Sequence, residues 1–169
     1  MRGSVGGSPQ VNLFEKFVAP EKALFDRQKL ENKFKHRNTD WSIPEAFLCI
    51  LIEAAVADGE FNTEELNTIM LLAERSRALK ALAPDERARL NDRVNELRSS
   101  RPNALAEACE TLPADMCLPV FAHCVDIVLS DGQLLQPESA FLEGLMEKLD
   151  LNPEEANRVM EVLLLKATY

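Results

Sequence analysis

The sequence predicts an all-α protein, a helical bundle of about seven to eight helices built around two pseudo-symmetric helical hairpins. Three observations lead there. Strand signals are nearly absent, with aromatic residues at 6% and no run that alternates β-branched with polar side chains. Proline recurs where helices would begin: Pro44, Pro84, Pro102, Pro113, Pro137 and Pro153 each stand just before an apolar-periodic stretch. The first helical position suits proline because its N–H would have no intrahelical partner. The third observation is an internal repeat. A shift of 73 residues aligns Phe47–Arg75 with Val120–Lys148 without a gap.

The elements follow in order along the chain. Residues 1–10, MRGSVGGSPQ, are rich in Gly and Ser and lack the apolar stretch of a signal peptide, so they read as a flexible tail. Residues 11–37 form a basic amphipathic arm, helical in part over 12–18 and 21–36, with seven Lys/Arg against four Asp/Glu. Phe14, Phe17, Leu24, Phe25 and Phe34 give it an apolar face. Residues 38–169 form the helical domain, with helices expected over 43–57, 63–78, 84–98, 102–111, 114–130, 137–149 and 153–166. Some of these segments are expected to merge or prove short. Asn152-Pro153-Glu154-Glu155 reads as an N-cap, a first-turn proline and a capping-box glutamate. Pro119 is expected to kink or delay the helix that starts near Pro113. The stretches Phe47–Val56 and Val120–Leu129 are apolar almost all round, which places them at the centre of the bundle.

Composition narrows the function. With 46% apolar and 28% charged residues the chain can build a core. A net charge of −9 argues against nucleic acid, which needs a basic face to displace counterions. It favours cations or a basic protein partner. The acidity is concentrated: residues 38–169 carry eleven Lys/Arg and twenty-four Asp/Glu. The basic arm would pack on this acidic body or touch anionic lipid in a peripheral membrane complex. No segment reaches the roughly 20 apolar residues of a membrane span, and the longest candidate, 46–57, is broken by Glu53. Cys49, Cys109, Cys117 and Cys124 lie in apolar helical sequence without C-x-x-C spacing, so they read as buried, reduced thiols rather than a zinc site. A cytoplasmic location follows, with a peripheral position at the inner membrane face as the arm's alternative. No Ser/His/Asp or Cys/His arrangement and no Gly-rich phosphate loop stands out, so the chain is expected not to be an enzyme. His123 matches core Ile50 in the repeat and reads as a buried, hydrogen-bonded histidine rather than a ligand.

The repeat carries the candidate chemistry. Each copy has the form (Glu/Asp)-x4-Asp-Gly-x5-Glu: Glu53, Asp58, Gly59 and Glu65, then Asp126, Asp131, Gly132 and Glu138. Glycine after the aspartate permits the left-handed turn that ends a helix. The glutamate then falls in the first turn of the next helix. Asp58, Glu65, Asp131 and Glu138 would therefore gather carboxylates at one end of the bundle, which is costly unless a cation or protons occupy them. Such all-oxygen ligands select hard ions, and calcium is favoured over magnesium because it tolerates irregular, partly hydrated coordination. Asp-Gly-x5-Glu is also the second half of an EF-hand loop. The first half is missing, since Ala54, Val56, Ile127 and Leu129 occupy its ligand positions, so any cation must draw on both copies or keep water. Glu53 and Asp126 are weaker candidates, because Glu53 and Asp58 point about 140° apart on a regular helix. Capping is the competing reading: glutamate in a first helical turn is favoured by the dipole and by capping boxes, and Asn62 with Glu65 fits one.

These residues resemble the TerB-like (tellurite resistance protein TerB) family. The buried helix ending in Ala-Asp-Gly-Glu before Glu-Glu-Leu is similar to that family, as is the second hairpin ending in Ser-Asp-Gly-Gln before Pro-Glu. The similarity spans about residues 38–166. It implies a divalent-cation site at the paired turns, falling here on Asp58, Gly59, Glu65, Asp131, Gly132 and Glu138, and a part in tellurite and other stress resistance. Gln133 and Leu135 stand where the first copy has Glu60 and Asn62, a departure that weakens the second polar loop. The alternative is a metal-free acidic scaffold for protein–protein interaction.

Overall fold

Helix formation begins where the chain can satisfy its leading N–H groups. Ser42 Oγ accepts from the Glu45 N–H at 3.3 Å, and the Glu45 carboxylate accepts from the Ser42 N–H at 2.8 Å. This capping box opens α1, Ile43–Ala55. The computed structural model describes residues 40–59 and 63–169, apart from the side chains of 63–66, 73 and 131. Among these residues six more α-helices follow: α2 Thr63–Arg75, α3 Pro84–Ser100, α4 Ala104–Thr111, α5 Ala114–Val128, α6 Gln136–Lys148 and α7 Pro153–Thr168. A 3-10 turn, Leu129–Asp131, follows α5. No strand occurs among the described residues, so the fold is the expected all-α bundle, with helix ends shifted by a few residues. The tail at 1–10, the arm at 11–37 and its helices at 12–18 and 21–36 lie outside the described residues.

The prolines divide by local geometry. Pro44, Pro84, Pro137 and Pro153 sit in first turns as expected. Pro113 instead is the N-cap of α5, with φ −60° and ψ 149°. Pro119 neither delays nor ends that helix, which starts at Ala114 and runs through it. A proline there removes one helical hydrogen bond and crowds the carbonyl of Asp115, a turn earlier. The next two side chains, Val120 and Phe121, are fully buried and hold the segment by packing.

Those two apolar helices make the centre. α1 packs on α2, α3, α4 and α5, while α5 also packs on α2, α6 and α7. Ile50, Leu51, Phe121, Val125 and Ile127 are buried between them and their neighbours. Fully burying a side chain of this size stabilises by about 1.5–3 kcal/mol. Cys124 Sγ reaches the Ile50 carbonyl at 3.8 Å, directly joining the central pair. All four cysteines are buried, and none forms a disulfide. Burial pushes the Cys49 thiol up to about 12, with nearby Glu53 adding to the effect, so it carries no thiolate near neutral pH.

The repeat is visible as geometry. Each central helix touches its own following helix and that of the other copy: α1 meets α2 and α6, and α5 meets α6 and α2. Each also binds a third helix through repeat-equivalent carboxylates. Glu53 of α1 accepts from Arg98 of α3 at 2.6 Å, and Asp126 of α5 accepts from Lys166 of α7 at 2.7 Å. The structural repeat is therefore three helices long, with α4 between the copies.

Candidate metal site at the paired turns

The two Asp-Gly turns are built the same way. In the first, the Val56 N–H reaches back to the Ile52 carbonyl and the Gly59 N–H donates to the Val56 carbonyl at 2.9 Å. In the second, Leu129 reaches back to Val125 and Gly132 donates to the Leu129 carbonyl at 2.9 Å. Both glycines are left-handed, at φ 86° and 79°. An L side chain adopts such a φ only with strain, so glycine is the residue that lets each helix stop and the chain turn back.

Asp58 is half-buried in the first turn, and Asp131 closes the 3-10 turn of the second. Glu138 is 97% removed from water in the first turn of α6. Its Oε2 accepts from the Leu135 N–H at 2.7 Å, so one oxygen satisfies the start of the helix. The capping expected of this position is therefore present at Glu138. The side chains of Glu65 and Asp131 lie outside the described residues. The backbone does bring their elements together, since α2, with Glu65 in its first turn, packs against the Leu129–Asp131 turn. Among the described residues no three His, Cys, Asp or Glu side chains gather as metal ligands would. The donor chemistry still fits a hard cation: carboxylates only, spread over two turns.

Glu53 and Asp126 serve a different purpose. Both are in the ion pairs that fasten α3 and α7, so they point to neighbouring helices rather than into the turns. His123 is half-buried and meets Phe47 edge-on, with ring centroids 5.9 Å apart. Aromatic packing holds it, and among the described residues it makes no hydrogen bond, contrary to the expectation. Burial keeps its pKa below the usual 6.5, against the opposing pull of Asp126, and the ring is neutral near pH 7.

One polar cluster was not anticipated. Glu107 Oε2 accepts from Trp41 Nε1 at 2.9 Å and from Arg101 Nη1 at 2.9 Å, while Arg101 Nη2 donates to Asp40 at 3.0 Å. The Trp41 hydrogen bond and then Arg101 hold the Glu107 carboxyl below its ordinary value. Trp41 and Glu107 are 66 residues apart, so no local spacing announces the pair.

Among the described residues no helix is long and apolar enough to cross a membrane. The family model described as Tellurite resistance protein TerB matches residues 44–161. No curated protein and no solved structure matches the chain. The family match covers both Asp-Gly turns and the helices from α1 into α7, and by it this chain belongs to the TerB family of tellurite resistance proteins.

Proposed function

We propose that this chain is a non-enzymatic TerB module that holds a divalent cation, calcium in preference to magnesium, through Asp58, Glu65, Asp131 and Glu138, and acts in a tellurite or wider stress-response assembly. The observation that carries the reading is the duplicated turn: the same hydrogen bonds and left-handed glycines present an aspartate twice, with α2 packed on the second turn. A bound cation would neutralise carboxylates that otherwise repel across the turns. Its affinity is modest, because the early loop positions carry apolar side chains and water must complete the shell.

Binding to the folded state alone raises stability by about 2.7 kcal/mol at a hundredfold excess over Kd. Millimolar calcium at low ionic strength should therefore raise the melting temperature by several degrees. The double variant Asp58→Asn with Asp131→Asn should melt at or above the wild type without cation and lose the calcium shift. A wild-type curve that ignores both calcium and magnesium would overturn the cation reading. The second reading, a metal-free acidic scaffold that recruits a basic partner, is favoured by the capping bond of Glu138. It expects no calcium shift and salt-sensitive capture of a basic peptide.

A further inference from the structure

A cavity of about 640 Å³ is lined by residues of α1, α2 and α3. Its walls are apolar. α1 and its C-cap contribute the stripe Leu48, Ile52 and Val56, the last at the base of the first Asp-Gly turn, and α2 contributes Ile69 with the exposed Met70 at its edge. Along the other lip, Arg87, Asn91, Asn95 and Arg98 follow helical spacing down α3. The volume falls within the roughly 300–1,000 Å³ of small-molecule sites, and apolar walls with few polar groups are their usual lining.

The two arginines differ. Arg98 is held by Glu53 at 2.6 Å. Among the described residues Arg87 makes no ion pair. Its Nη2 donates to the Lys80 carbonyl at 3.4 Å, while its Nε is buried without a hydrogen-bond partner. A buried charged donor left unpaired is costly, so it calls for an acceptor. Glu74, the lining carboxylate of α2, is exposed, where water and salt screen it. We propose that this cavity binds an aliphatic carboxylate, a fatty-acid-like anion whose alkyl chain lies on the α1 and α2 walls and whose carboxylate accepts from Arg87.

The experiment is calorimetric titration of the full chain with decanoate below its micelle concentration, in EDTA so that cation binding at the turns is not involved. Decanol and decyltrimethylammonium serve as head-group controls. Decanoate should bind saturably at one per chain, and decyltrimethylammonium should not. Arg87→Met should weaken decanoate about tenfold or more while leaving decanol unchanged, the effect of losing a hydrogen bond to a charged group. Arg87→Lys should fall between. Ala88→Phe, filling the cavity from α3, should block decanoate and decanol alike, with the helical spectrum checked to show that it folds. Failure of decanoate to saturate, equal binding of the cationic amphiphile, or affinity unmoved by both Arg87→Met and Ala88→Phe would overturn the proposal. So would sedimentation showing that a second copy covers the cavity at the concentrations used.

Discussion

Glu107 ties the entry of the domain to α4 with a single carboxylate oxygen that serves both Trp41 and Arg101. Both partners prefer the charged form, so its folded pKa lies below the usual 4.5. The sign follows from linkage. Stability from this group is fully present above its unfolded value and is lost as pH falls through the lowered folded value. Glu107→Gln should therefore reduce the melting temperature by about 2–4 °C at pH 7. The difference from wild type should shrink as acid protonates the carboxylate, which paired melting curves from pH 7 to pH 3 would show. A gap that stays constant would mean the network acts through shape alone. The cysteines make the opposite point at the same scale. Residues as enclosed as Cys49 and Cys124, with thiols pushed up by burial, should resist alkylation in the native state and react only on unfolding.

Turns and caps set where each helix stops. A Cβ added at Gly59 or Gly132 would meet nothing within 4 Å, so Gly→Ala at either position tests backbone strain without a clash. Each substitution should cost about 1–2 kcal/mol in chemical denaturation. The two costs should add if the turns stand independently, and depart from additivity if the turns share a cation or a contact. Glu138 tests the start of α6. Glu138→Gln keeps an acceptor for the Leu135 N–H and should cost little, whereas Glu138→Ala leaves that donor unmet and should cost about 1–2 kcal/mol. Equal costs for the two would show that charge, not capping, is what the position needs. The motif is thus structural at Glu138 whether or not a cation binds, which is why the calcium arm must be read on the aspartates.

Across the whole molecule, stability rests on α1 and α5 and on the burial they share. Val125 is 1% exposed, and Val125→Asp would bury an unpaired charge at a cost of several kcal/mol. It should leave the chain unfolded or aggregated under conditions where the wild type melts cooperatively. A soluble variant with an unchanged melt would show that the two apolar helices are not the core. The three-helix repeat adds a second expectation. Removing Arg98 or Lys166 loosens a third helix from its central helix, and because both pairs are partly solvated each loss should be small, about 1 kcal/mol or less.

The sequence by itself determined the helical class, the central pair and the duplicated turns. Those rest on local signals: apolar character around Phe47–Val56 and Val120–Leu129, first-turn prolines, and glycines that must be left-handed. A 73-residue shift could expose two helices per copy but not the third, because Arg98 and Lys166 sit at different offsets and their pairing depends on how α3 and α7 cross the centre. Tertiary structure alone decided that Glu53 and Asp126 fasten helices, that Glu138 spends an oxygen on its own helix start, and that His123 leans on Phe47. It also decided that Trp41 finds Glu107 and that Arg87, its buried Nε without a partner, lines a cavity. Periodicity reports which face of a helix is apolar, but the partner of a polar side chain is fixed only when distant segments pack, since charge and hydrogen bonding act over a few ångströms of space and not along the chain.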